Sequence, residues 1–242
     1  MQVEECVLCP RLVACRRQIV NGVGRPTAKI MFVGQNPGEE EDIEGKPFMG
    51  KSGNLLRLLC DSAGINPIQV YRTNAVRCHS PGNAKPKKDE ILNCRDYLID
   101  EIREVNPAVI IALGEVPIQS LYSFAGDVSH STVLMQYQDD CADLMNGWQS
   151  ELETWNLMTP AGRKEYFPSG RPKKPKLPAK PRPAKPIHTA VRDVAGHTLV
   201  QPDTGIPLIA SYHPAFLMRG NWQMSELVIA HFEKARRIAE AA

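Results

Sequence analysis

Long apolar runs are missing from this sequence: no stretch of its 242 residues approaches the length needed to span a bilayer. The N-terminus also lacks the basic-then-apolar pattern of a secretory signal, so a cytoplasmic, nucleoid-associated protein is expected, neither secreted nor membrane-bound. Net charge is nearly absent, with 29 Lys and Arg against 27 Asp and Glu. Bulk charge therefore excludes no partner, and local charge must be read instead. Acids gather at 39–44 and 89–104, and a basic run sits at 171–185. Without an export signal, seven cysteines do not suggest a disulfide framework, and the Cys6-x-x-Cys9 pair points to metal or redox chemistry.

What is present first is alternation. Residues 29–33 read as a buried strand and 52–63 as a helix with apolar Leu55, Leu56, Leu58 and Leu59. A second strand is expected at 70–73, and a long helix at 88–105, opened by Asp89 and Glu90 where the helix dipole favours negative charge. A third strand follows at 108–113, a short helix at 115–122, a fourth strand at 206–211 and a last helix at about 223–241. Strands alternating with helices argue for a parallel sheet covered on both faces, with ligands bound where strands end and helices begin. Between 123 and 205 the alternation stops. The Pro/Lys-rich stretch 169–186 can neither bury apolar area nor form a helix, and reads as an extended linker within an insertion.

Three strand-to-helix junctions carry unusual chemistry. In the first, MFVGQNPGEEEDIEGKPFMGKSGNLL, Gly34 and Gly38 permit tight turns, while Pro37 stiffens the loop so that Gln35 and Asn36 can present side chains and amides. The others are RTNAVRC after the second strand and SYHPAFL after the fourth. On the expected topology the three loops converge on one crevice.

GQNPGEEEDIEGKPFMGKSGNLL resembles the first motif of the uracil-DNA glycosylase superfamily in its family 4 form: Gly-Glu-x-Pro-Gly, an acidic run, Gly-x-Pro-Phe-x-Gly, then small-Gly-x-Leu-Leu. TNAVRC followed by SPGNAKPKKDEILNC is similar to that family's second segment, and SYHPAFLMR to its His-Pro motif. The resemblance implies a three-layer α/β/α fold with a central parallel four-stranded sheet, formed by 1–122 and 206–242, with 123–205 an irregular insertion. It also implies hydrolytic removal of uracil from DNA, as in base excision repair. Cys6, Cys9, Cys78 and Cys94 stand where family 4 enzymes hold a [4Fe-4S] cluster, whose irons take soft thiolate ligands. Spacing alone suits zinc held by four cysteines as well. Cys15, Cys60 and Cys141 fall outside the set.

Carried over by resemblance, Phe48 stacks on a flipped base and Asn74 reads its edge, the amide donating to a carbonyl and accepting from the adjacent imide. His213 donates to the carbonyl nearest the scissile bond. The chain departs from family 4 at Gln35, where that family commonly has Glu. Asn36 matches the water-positioning Asn of the mismatch-specific and single-strand-selective branches, and an amide orients water without taking its proton. Gln35 and Gly34 shape the pocket, and Glu41 assists the water or holds the loop. Glu39, Glu40, Asp42 and Glu44 are expected to be solvated.

Lys85, Lys87, Lys88 and Arg219 are the expected phosphate contacts, with Arg72 and Arg77 near Asn74 as further cations and Leu217 or Met218 as an apolar wedge. No lysine sits in the matched catalytic motifs to form a Schiff base, so a monofunctional enzyme is expected. One branch links covalently to DNA through a histidine in an Arg-rich loop; His79 lies in that neighbourhood, but the basic loop is absent. The expected partners are uracil-containing DNA and a replication or repair protein bound through the insertion, with the chain monomeric. The rival reading is a catalytically weak or inactive DNA-binding module in a replication or repair assembly.

Overall fold

The computed structural model describes residues 2–123, 130–167, 169–175 and 191–242. They fall into two compact units, 1–131 with 183–242, and 132–182. The first unit is built on a five-stranded sheet of β1 (Ile30–Gly34), β2 (Tyr71–Asn74), β3 (Val109–Leu113), β4 (Thr198–Val200) and β5 (Pro207–Ser211), in the order β2-β1-β3-β5-β4. The four expected strands are parallel to their neighbours, with Gly34 opposite Asn74 and Leu113 opposite Ser211. The short β4, within the stretch expected to be insertion, adds an antiparallel edge along β5.

Strand alternation sorts the core into two layers. Met31, Val33, Ile110, Ala112, Leu208 and Ala210 face Ile91, Leu98 and Ile102 of α4 (Lys88–Val105) and Leu12 of α1 (Pro10–Val13). Phe32, Ile111, Leu113 and Ile209 face Leu56, Leu59 and Cys60 of α3 (Lys51–Ser62) and Val228, Phe232 and Ala235 of α10 (Ser225–Ala241). The result is the expected three-layer α/β/α arrangement. Leu58, expected on the apolar face of α3, is exposed.

Helix α4 has the bounds its pattern predicts. Its N-terminus is closed by Glu90, which accepts from the Lys87 amide at 2.7 Å, and its C-terminus by Asn106 at φ 47° before Pro107. The expected helix at 115–122 is shorter: α5 (Glu115–Ile118) passes into a wider turn over Gln119–Ser123. The remaining helices of this unit are short, namely α2 (Glu39–Glu44), α8 (Val191–Val194) and α9 (Pro214–Met218).

The second unit contains most of α6 (His130–Leu157) and all of α7 (Pro160–Tyr166). Helix is therefore present where scattered polar and aromatic residues give no clear apolar period. Within that unit, α7 is capped by Thr159, and Arg163 lies over the Trp155 ring at 5.2 Å while donating to the Trp155 carbonyl at 2.8 Å. Residues 171–175 of the Pro/Lys-rich stretch carry no regular structure, as expected; 176–186 lie outside the described residues.

From β1 the chain steps to β2 on one side and later to β3 on the other. The strand order thus reverses at β1, and the crevice beside that point lies at the carboxyl ends of the parallel strands.

Candidate active site

Strand β1 ends at Gly34, a position where nothing larger fits. A Cβ there would meet Cζ of Phe48 at 2.7 Å and press on Oδ1 of Asn74. Two side chains, one from the loop between α2 and α3 and one from the end of β2, therefore close over one glycine. Asn74 ends β2 and is buried. Its strand is braced from below by Glu101, 1% exposed, which accepts from the Thr73 hydroxyl at 2.7 Å and the Tyr71 hydroxyl at 3.0 Å. Arg77 pairs with the same carboxylate at 3.2 Å and is itself buried. It is committed to the core, so its expected place among the phosphate-facing cations is corrected.

Phe48 sits at φ 59°, a strained conformation for a bulky residue. Two neighbours hold it there. Gly53 lets α3 pass against the Phe48 backbone, where a Cβ would collide with the carbonyl, and Arg57 donates to that carbonyl at 3.3 Å. The Phe48 ring lies nearly parallel to His213, at 23°, with centroids 6.4 Å apart.

The loop between β1 and α3 is tied down by carboxylates. Glu41 accepts from the Gly38 amide through one oxygen and from the Gly50 amide through the other, both at 2.9 Å. Of its two expected roles, holding the loop accounts for both oxygens. Asp42, expected to be solvated, is buried and accepts from the Arg17 amide at 2.9 Å, anchoring the 16–18 segment to α2. Glu39, Glu40 and Glu44 are exposed, as expected.

Asn36 is held at both ends of its amide. Gln35 Nε2 donates to its Oδ1 at 3.0 Å, while its Nδ2 donates to the Ser80 hydroxyl and the Pro37 carbonyl, both at 3.1 Å. His79 contacts the same Pro37 carbonyl through Nδ1 at 3.1 Å.

His213 caps α9. Its Nδ1 accepts from the Ala215 amide at 3.1 Å, which leaves the proton of a neutral ring on Nε2. Burial, aided by the nearby Arg219 charge and opposed by Glu41, pushes its pKa down to about 4. The ring is thus a neutral donor at ordinary pH.

Gln35, Asn36, Phe48, Asn74, His213 and Arg219 all line one cavity of about 590 Å³. Glu41 borders it as well. Of the DNA-facing candidates, Arg219 and Met218 are exposed at this edge, but Leu217 is fully buried in the core and cannot serve as a wedge. Lys87 and Lys88 are exposed at the start of α4, and Lys85 is paired with Glu115 at 2.8 Å.

The four thiols of Cys6, Cys9, Cys78 and Cys94 gather beside the α4 core layer. Burial is the main cause that pushes Cys9 up to about 12 and raises Cys78 and Cys94, and each of these three also feels the charge of Cys6. N–H groups point at the sulfurs: Arg16 donates to Cys78 Sγ at 2.9 Å and Asn93 to Cys9 Sγ at 3.3 Å. Among the described residues, no group of three or more His, Cys, Asp or Glu is positioned to hold a single metal ion. Cys15 is partly exposed, Cys60 is buried in the opposite core layer, and Cys141 is partly exposed in the second unit.

Ser80, Asp42 and Arg16 carry this geometry, yet no pattern singles them out in the sequence. Ser80 lies inside the matched second segment, and its role depends on a loop 44 residues away.

The open α/β fold thus carries a crevice at its switch point lined by the amides of Gln35, Asn36 and Asn74, a neutral imidazole and a phenyl ring. Residues 21–237 match the model of the uracil DNA glycosylase superfamily, and the chain belongs to that family. It is similar to a Type-4 uracil-DNA glycosylase of Saccharolobus solfataricus, 46% identical over 114 residues, covering 47% of this chain and 52% of that one. A Type-4 uracil-DNA glycosylase of Thermotoga maritima is 42% identical over 113 residues, 47% of this chain and 58% of its own. A DNA polymerase of Bacillus phage SP01 is 35% identical over 103 residues, 42% of this chain and 11% of its own. The match spans about half to three-fifths of the two glycosylases.

Proposed function

We propose that this chain removes uracil from DNA by hydrolysis, leaving an abasic site and no strand break. The observation that carries this reading is the meeting of Asn36, Phe48, Asn74 and His213 around one cavity. A base turned out of the helix would stack on Phe48 while the Asn74 amide pairs with a carbonyl and the adjacent imide N–H. Cytosine presents an amino group and a bare ring nitrogen there, the reverse pattern, and is rejected.

Asn36 orients the attacking water through Oδ1, and the water's proton leaves to solvent because an amide cannot hold it. As the bond to the sugar breaks, negative charge moves onto the base. The Nε2–H of His213, the proton left by the Ala215 bond to Nδ1, would donate to the carbonyl that receives it, and a neutral donor suffices. Arg219, Lys87 and Lys88 contact the phosphate backbone, with Met218 as the apolar wedge.

Cys6, Cys9, Cys78 and Cys94 would hold a [4Fe-4S] cluster, and the donor set fits: thiolates are the required ligands, and Arg16 and Asn93 supply N–H groups to the sulfurs. When bound, the cluster supplies a cross-link between the N-terminal segment and α4. Residues 123–205 would serve as an insertion through which a replication or repair protein binds.

Incubation with a uracil-containing oligonucleotide, then alkaline cleavage of abasic sites, tests the activity. Cleavage at uracil and not at cytosine is expected. Intact strands with DNA binding retained would leave instead a non-catalytic module of a larger replication assembly, the reading favoured by the match inside a phage DNA polymerase.

A further inference from the structure

We infer that Ser80, acting beside the Pro37 carbonyl, is a positioning residue for the water-binding amide. It fixes which face of Asn36 meets the nucleophile, and it does so from the segment that also carries the thiol of Cys78. The inference rests on the proposed uracil-excision reading and deepens it.

A serine hydroxyl has one proton and two lone pairs. Ser80 is fully buried, and its proton is committed to the Ala84 carbonyl. Only acceptor character is left to face Asn36. The Asn36 amide must therefore turn its NH₂ toward Ser80, where Nδ2 stands 3.1 Å away and also donates to the Pro37 carbonyl at 3.1 Å, and its oxygen to the opposite side. Gln35 Nε2 takes one lone pair of that oxygen from the other side. The second lone pair is free for a proton of the water, whose own lone pair then points outward for attack. In the flipped amide, Oδ1 would face the Pro37 carbonyl and a serine oxygen with no proton to give. Both contacts would be repulsive, so the relay Ala84–Ser80–Asn36 has one direction, and Gln35 presents Nε2 to match it.

The relay begins two residues after Cys78, and His79 between them reaches the Pro37 carbonyl beside Asn36. The loop carrying the water site is thus attached to the thiol-bearing segment by side-chain bonds from Ser80 and His79. Anything that displaces Cys78 moves the acceptor on which the amide orientation depends.

The test is a double-mutant cycle on the full chain, read by single-turnover uracil release and by binding to uracil-containing DNA. Ser80→Ala is expected to lower the rate on the order of 10-fold or more while leaving DNA affinity unchanged, because orientation and not binding is lost. Ser80→Thr keeps the hydroxyl and is expected to keep most of the rate. In the Asn36→Ala background, Ser80→Ala is expected to cost nothing further. A full additional loss there would mean that Ser80 acts independently of Asn36, and would overturn the inference.

A second measurement does not need turnover. The Asn36 side-chain amide protons, assigned by their disappearance in Asn36→Asp, are expected to exchange with solvent more slowly than those of exposed asparagines in the native protein. In Ser80→Ala they are expected to exchange faster. Fast exchange in the native protein would sink the inference on its own, whether or not uracil is released. Slow exchange without uracil release would sink the activity and leave the relay standing.

Discussion

The two walls of the cavity are held by different physics. The wall from Gly34 to Gly50 is a hydrogen-bonded construction: Glu41 ties Gly38 to Gly50, Asp42 ties α2 to the 16–18 segment, and Asn36 is gripped from two sides. The wall from Tyr212 to Arg219 is held mainly by packing. Pro214 and Leu217 are buried, and the imidazole of His213 caps its own short helix. A bonded wall resists small rotations of its side chains, which suits groups that must aim a water molecule. A packed wall holds a ring by its neighbours and leaves one edge free, which suits a donor that waits for charge to develop. Substitutions on the packed wall should therefore reach the rate first, and those on the bonded wall should reach stability as well.

The largest effect is expected at His213. His213→Ala removes the only donor on its wall with a defined tautomer and should lower single-turnover uracil release about 100- to 1,000-fold, with DNA affinity little changed. Stability should fall less, because the cap on a five-residue helix is worth about 1 kcal/mol. A loss of DNA binding equal to the loss of rate would mean that the ring holds the substrate in place and does not act on the leaving group.

Next comes the bonded wall. Glu41→Gln keeps the size of the side chain but turns an NH₂ toward one of two backbone amides that now donate to the carboxylate. One buried donor then faces another, at a cost of about 1–3 kcal/mol. Chemical denaturation measures that cost. Uracil release should fall with it, because the same loop carries Asn36. Unchanged stability would show that the bonds to Gly38 and Gly50 do not hold this wall.

A smaller effect separates the walls by pH. His213 has its pKa lowered from 6.5 to about 4, chiefly by burial. Between those values the unfolded chain takes up a proton that the folded one refuses, so stability should fall as pH drops from 6.5 toward 4 and be fully present above 6.5. His213→Ala should reduce that slope, leaving the part due to His231, which burial also lowers. The rate attributable to the neutral donor should show no titration near 6.5, and a limb there that vanishes in His213→Ala would contradict the neutral tautomer.

The contrast between the walls also marks how far the sequence could be read. The sheet, the parallel order of its four main strands and the bounds of α4 follow from alternation, from Asp89 and Glu90, and from Asn106-Pro107, all local signals. Phe48, Asn74 and His213 meet at one cavity because each lies in a matched motif at the carboxyl end of a parallel strand or in the segment that follows it. Partnership was less visible. Asp42 looks like one more solvated acid in an acidic run, yet it is buried against backbone 25 residues earlier. Arg77 looks like a cation for DNA, yet it neutralises Glu101 beneath β2. Leu217 and Met218 are neighbours on one short helix, and only the direction in which α9 packs decides which is buried. The helices of 132–182 escaped for another reason: over 141–166, where their side chains are described, they bury little, so burial imposes no clear apolar period there.

The smallest expected effects lie at the rim, where cations differ in how free they are. Arg219 is exposed at the cavity edge, and Lys85 is bonded to Glu115. A phosphate contact made by a free cation releases counterions and adds about 0.9 to the slope of log affinity against log salt for duplex DNA. Arg219→Ala should reduce that slope by about one unit and weaken binding to all sequences alike. Lys85→Ala should do less, because recruiting Lys85 means first breaking its pair with Glu115, and the exposed pair is worth at most about 1 kcal/mol. Glu115→Gln should then strengthen DNA binding slightly by freeing Lys85. Equal slopes for the Arg219 and Lys85 variants would show that the ion pair opens at no cost and that the two cations serve DNA alike.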